Sequence, residues 1–120
     1  MKISKKDIEP IERETAVISN YPFPTKEISI THIQVKGRHP SDVTKQHIEH
    51  KLTLICYVIS GSGKFIVEEL EIEVSPGDAI FIKSDQKYYI EGDLEYLVSC
   101  SPAYYREQHE QVVLENTGQR

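Results

Sequence analysis

The chain has 120 residues, enough for one domain and too few for two. Its hydrophobic content of 38% and charged content of 28% are those of a water-soluble globular protein with one core. A net charge of −5 argues against nucleic acid or an anionic membrane as the main partner, and no apolar run approaches the length of a membrane span.

Residues 1–14 are charged, without clean periodicity, and read as a loosely docked arm lacking the apolar segment of a secretory signal. A cytoplasmic location is expected on that ground, with Cys56 and Cys100 as reduced, buried thiols. Residues 16–18 form a short edge strand in this reading. The following Asn20-Tyr21-Pro22-Phe23-Pro24 is held extended by its prolines, either as a connector or as an arm packing its aromatics on a partner subunit. Residues 27–36 read as a strand, with Ile28, Ile30 and His32 on one face and Ser29, Thr31, Ile33 and Val35 on the other. His32 is a candidate to face the interior. Gly37 to Asp42 reads as a loop that leaves His39 exposed, and a further strand starts near Lys45.

Residues 52–59 are rich in β-branched and aromatic side chains and are expected to stop at a turn, Ser60-Gly61-Ser62-Gly63. Residues 64–67 follow. Leu70, Ile72 and Val74 then alternate with Glu71, Glu73 and Ser75, the period of a half-buried strand. Glu68, Glu69, Glu71 and Glu73 give this strand pair a solvated acidic face. Ser75-Pro76-Gly77-Asp78 is a turn in which Pro fixes φ and Gly takes a positive φ. Strands are expected at residues 79–82 and 88–90, a tight turn at Glu91-Gly92-Asp93, and a last strand at residues 94–100. Ser101-Pro102 can start a helix, which would make residues 104–114 a polar helix with Tyr105, His109, Val112 and Val113 as its stripe. Residues 116–120 are expected to fray.

The stretch YVISGSGKF followed by SPGDAIFI resembles the centre of a small single-domain cupin, an all-β double-stranded β-helix or jelly-roll barrel. The resemblance covers roughly residues 28–100 and implies an arm at 1–26, a barrel at 27–101 and a tail, helical or extended, at 102–120. It also implies where a metal would be held. In the family two His one residue apart, a Glu and a second-motif His usually hold it. Here the His pair falls on His47 and Glu49, or in the other register on Ile48 and His50; the Glu position is Leu54 and the second His position is Tyr88. Leu54 cannot bind a cation. A divalent transition metal is therefore not the favoured cofactor; if one binds, His47, Glu49 and His50 are its candidates, with His50 pointing outward unless a bulge turns it back.

Three functions remain open. The favoured reading is a small-molecule-binding cupin with a degenerate metal site, its ligand sugar-like or an organic acid, held by His47, Glu49, Leu54, Val58 and Tyr88. The second is a metal-dependent enzyme, of dioxygenase or isomerase type, with an atypical ligand set. The third is a metal-free isomerase or epimerase with His47 and Tyr88 as its catalytic pair. The lack of a basic cluster for a nucleotide diphosphate counts against the third, with Arg38, Lys45 and Lys87 as the candidates for one. A homodimer is expected, because Tyr57 and Ile59 point outward and, with the Tyr21–Phe23 arm, would otherwise wet a large apolar surface.

Overall fold

The computed structural model describes residues 1–114, so the expectation for residues 116–120 lies outside the described residues. Nine strands form one curled sheet: β1 (Ile11–Glu12), β2 (Ala16–Tyr21), β3 (Ser29–His39), β4 (Lys45–Glu49), β5 (Thr53–Val67), β6 (Leu70–Val74), β7 (Ala79–Ile82), β8 (Lys87–Ser101) and β9 (His109–Val113). All pairings are antiparallel. β8 is the spine, with β5 along one edge and β3 then β4 along the other. β6 and β7 share the free edge of β5, and β9 closes the free edge of β4.

The fold is that of a jelly-roll half-barrel, as the alternating runs imply. Leu54, Cys56 and Val58 face inward from β5, and Tyr88, Ile90, Leu94, Tyr96, Val98 and Cys100 from β8. Both cysteines are free thiols in this core. Ser75 to Asp78 turns as expected, with Gly77 at φ +95° and the Asp78 carboxylate accepting from the Ser75 amide at 2.8 Å.

Two expected turns are not turns. Residues 60–63 and 91–93 lie inside β5 and β8, paired with each other. Here the two-stranded ribbon bends between the barrel's walls, helped by a bulge between Val58 and Ser60. A methyl group on Gly61 would lie 2.0 Å from the Asp93 carbonyl oxygen, and one on Gly92 would lie 2.5 Å from that of Ser62. The glycines serve this close crossing of main chains rather than a chain reversal. The actual hairpin is at Glu68-Glu69, both at positive φ, as a two-residue loop of the primed type requires.

Three further expectations are corrected. Residues 104–114 form a single 3-10 turn, Arg106–Gln108, and then β9, because the open edge of β4 offers main-chain hydrogen bonds that a weakly amphipathic helix does not outweigh. β3 runs on to His39, so Gly37, Arg38 and His39 are strand, not loop. The inward face of β3 is Thr31, Ile33 and Val35. His32 lies on the outer face, its Nε2 2.5 Å from the Glu95 carboxylate.

The outer face of β7 and β5 is apolar. Phe81 pairs across from Ile55, with Tyr57 the next outward residue, and each is about half exposed.

Candidate functional site

The strand register assembles the site. On β4, His47 and Glu49 lie one residue apart and so share the inward face. His47 is paired with Tyr88 of β8 on one side and Gln111 of β9 on the other, while Glu49 is paired with His109. Both faces of β4 are covered, so His47 and Glu49 are each only 4% exposed.

The Glu49 carboxylate is fully engaged. It accepts from the Tyr88 hydroxyl at 2.6 Å, from Gln108 Nε2 at 2.7 Å and from His109 Nδ1 at 2.9 Å. These three donors are what allows a buried carboxylate here. Burial, then the neighbouring Glu49 charge, push the Tyr88 hydroxyl well above its ordinary range. Tyr88 is thus a held proton donor, which counts against it as a base.

His47 is the opposite case. Neither of its ring nitrogens has a hydrogen-bond partner among the described residues, though both are buried. Its ring lies 4.5 Å from that of His39, 5.0 Å from His109 and 5.3 Å from Tyr88, centroid to centroid. Burial, then repulsion from His39 and His109, hold His47 well below the usual imidazole range. Burial, then repulsion from His109 and Arg13, bring His39 down to about 4. Both rings are neutral at pH 7.

These groups open on a cavity of about 530 Å3. Its wall is apolar at Ile33, Leu54, Cys56, Ile90 and Val98, and polar at His39, His47, Glu49, Tyr88 and His109. Arg13, Asp42 and Arg106 also line it. Burial raises both thiols, Cys100 to about 11, so neither is a thiolate nucleophile. A second concavity, lined by Ser62, Gly63, Lys64 and Glu73 among others, is a broad surface groove without such a cluster.

Of the residues singled out in the sequence, the structure brings His47, Glu49, Leu54 and Tyr88 together at the cavity. Val58 is fully buried but packs in the core behind the cavity wall. His50 points away and outward, its ring bridging Asp85 at 2.9 Å and Glu110 at 2.7 Å. His39 and His109 were read as exposed or on a polar helix, yet both line the cavity. Continuing the period-2 alternation Thr31, Ile33, Val35 by four residues would have found His39.

A family model described as Cupin_2, cupin domain, matches residues 36–99, more than half of the chain. The chain belongs to the cupin family. No curated protein matches it by sequence. Among solved structures, this cupin is similar to Pac13, described as a unique nucleoside dehydratase, with a TM-score of 0.86 and 16% identity over 97% of this chain and 93% of that one. A Tyr→Phe variant of Streptomyces PAC13 with uridine gives the same TM-score and identity. Ectoine synthase from P. lautus matches with a TM-score of 0.73 and 15% identity over 98% and 94% of the two chains. The polyketide cyclase RemF from Streptomyces resistomycificus matches with a TM-score of 0.73 and 20% identity over 96% and 87%. At these identities the likeness establishes the fold.

The cupin positions do not fit the family's metal. Leu54 has no donor atom, the Tyr88 proton points to Glu49, and both Glu49 oxygens are occupied by side-chain donors. Of these four positions only His47 keeps an uncommitted lone pair. Among the described residues no group of three or more His, Cys, Asp or Glu side chains is placed to hold a metal ion.

The depressed histidines predict a pH dependence. His39 and His47 are neutral when folded but take up protons near pH 6.5 when unfolded. Stability from keeping them neutral is complete above about 6.5 and is lost as pH falls, for His39 toward about 4. Each should contribute about 1.4 kcal/mol of loss between pH 7.5 and 5.5. The exposed His50, raised by its hydrogen bonds to Glu110 and Asp85, works weakly in the opposite sense. Urea melts at the two pH values should show the drop, and His39→Gln should remove about half of it. An equal drop in the variant would contradict the neutral assignment.

Proposed function

We propose that the cavity binds a small hydroxylated organic molecule, sugar-like or nucleoside-like, and that His47 accepts a proton from it. The observation that carries this reading is the buried His47 ring, with both nitrogens unpartnered, in the wall of a cavity of ligand size. A buried polar group without a partner is costly, and a bound hydroxyl or amide would supply the missing hydrogen bonds. The likeness to a nucleoside dehydratase of the same fold supports the ligand class.

The surrounding groups suit proton transfer without a metal. Glu49 accepts from His109 Nδ1 and so fixes the tautomer and orientation of that ring. A neutral His47 can remove a proton from a carbon next to a carbonyl, while a protonated His109 gives its proton to a departing hydroxyl, which leaves as water. Returning the proton to a different carbon instead would be an isomerisation. Tyr88 serves in this scheme to hold Glu49, not to take a proton.

The test is binding followed by exchange. Uridine and a panel of aldoses are screened by thermal shift, and any that bind are incubated with the protein in deuterated water and followed by NMR. Incorporation of deuterium at the carbon beside the carbonyl is expected for an aldose that binds. His47→Gln should slow it by about 10²–10⁴-fold while binding changes little. Binding without exchange would leave a binding protein and remove the catalytic role. No binding across the panel would count against the ligand class.

The assembly we propose is a homodimer through the outer face of β5 and β7. Ile55, Tyr57 and Phe81 give an apolar strip, each residue about half exposed, that a second copy would cover about a two-fold axis. Light scattering at micromolar concentration should give twice the chain mass of 13.8 kDa, falling to the single mass for Tyr57→Lys. A single mass for the unaltered protein would end the idea.

A further inference from the structure

Two guanidinium groups far apart in sequence line the same cavity. Arg13 sits in the tight link between β1 and β2, its amide donating to the Ala16 carbonyl at 2.8 Å. Arg106 opens the 3-10 turn before β9, where the His109 amide donates back to its carbonyl. The main chain at both positions is therefore fixed, while the guanidiniums are exposed. Among the described residues neither meets a carboxylate: Arg13 reaches only the Glu12 carbonyl, at 3.3 Å, and Arg106 has no side-chain partner.

The other charges of this region are already engaged. Arg38 donates to the carbonyls of Pro40, Asp42 and Lys45 and lies over the Tyr89 ring, so it builds the 40–45 loop. The Asp42 carboxylate accepts from the Thr44 amide at 2.9 Å and hydroxyl at 2.6 Å. Glu49 is capped by its three donors. The two arginines are thus the uncommitted charges of the cavity, in a protein whose net charge of −5 otherwise repels anions. Guanidinium forks match the paired oxygens of a carboxylate or phosphate.

We infer that the ligand of this cavity carries an anionic oxygen group, a phosphate or a carboxylate, held between Arg13 and Arg106, while its hydroxylated body reaches His47. This rests on the cavity reading given above and narrows it from sugar-like or nucleoside-like molecules to their acidic members. Arg13 also contributes to the depression of His39, so an anion beside Arg13 would weaken that contribution.

Calorimetric titration of matched pairs tests it: uridine against uridine 5′-monophosphate, and glucose against glucuronate. For at least one pair the acidic member should bind about tenfold tighter or better. A preference in the first pair identifies phosphate, and in the second carboxylate. Arg13→Gln and Arg106→Gln should each pull that ratio toward one while leaving the neutral member's affinity in place. Lys36→Gln removes the same charge from outside the cavity and should keep the ratio. Neutral members binding as well as acidic ones, or Lys36→Gln lowering the ratio as far as the arginine variants, would overturn the inference and leave the cavity reading standing. No binding by any of the four compounds would overturn both.

Discussion

Val58→Asp should yield no cooperatively folded protein. Val58 has no exposed surface and faces the core shared by Phe65, Leu94 and Tyr96. Its main chain is equally committed, its amide donating to Asp78 and its carbonyl accepting from Gly77, so the residue cannot rotate outward without unmaking the Pro-Gly-Asp turn. Among the described residues no cation lies in that core to pair with a carboxylate. An unpaired buried charge costs several kcal/mol against a total stability of about 5–15 kcal/mol. Circular dichroism should show no sigmoidal melt, while Ile59→Asp, at a half-exposed neighbour, should melt cooperatively. A soluble Val58→Asp protein with a sharp transition would mean that the strand faces the other way.

Glu49→Leu should be the most damaging change within the site. The leucine fills the volume but leaves the Tyr88 hydroxyl, the Gln108 amide and the His109 Nδ1 hydrogen without their acceptor. Each stranded donor costs about 1–3 kcal/mol, so the loss should be at least about 3 kcal/mol, with a fall in Tm of roughly 10 °C or more. Tyr88→Phe alone removes one donor and should cost less. Because the two residues share one hydrogen bond, the double variant should be more stable than the two single losses added together, by about 1 kcal/mol. Strict additivity, or a Glu49→Leu protein as stable as the parent, would show that the carboxylate is not the hub of the site.

The barrel could be read from the chain because its causes are local. Alternation along residues 70–74 and the Pro-Gly-Asp turn each report a backbone state that neighbours in sequence enforce. Gly61 and Gly92 were misread for the same reason: a glycine at a bend in a paired ribbon and one in a reversing turn look alike until the partner strand is known. The site divides in the same way. His47, Glu49, Leu54 and Tyr88 stand at positions the cupin pattern marks, so they were legible. His109 was not, since residues 109–113 carry both a weak helical stripe and a weak alternation. What decides between them is the open edge of β4, some 60 positions earlier in the chain.

That distance sets an order of events during synthesis. His47 and Glu49 leave the ribosome well before Gln108 and His109, which lie 59 and 60 residues further along from Glu49. Until that segment emerges, the carboxylate keeps its water and β4 presents a bare strand edge, the kind of surface on which nascent chains pair with the wrong neighbour. The arrival of β9 ends both conditions at once, drying the acid and capping the edge. In this protein the full set of donors to Glu49 and protection from misassembly are therefore acquired in a single late step, and a ribosome stalled before residue 108 would release a barrel that has neither.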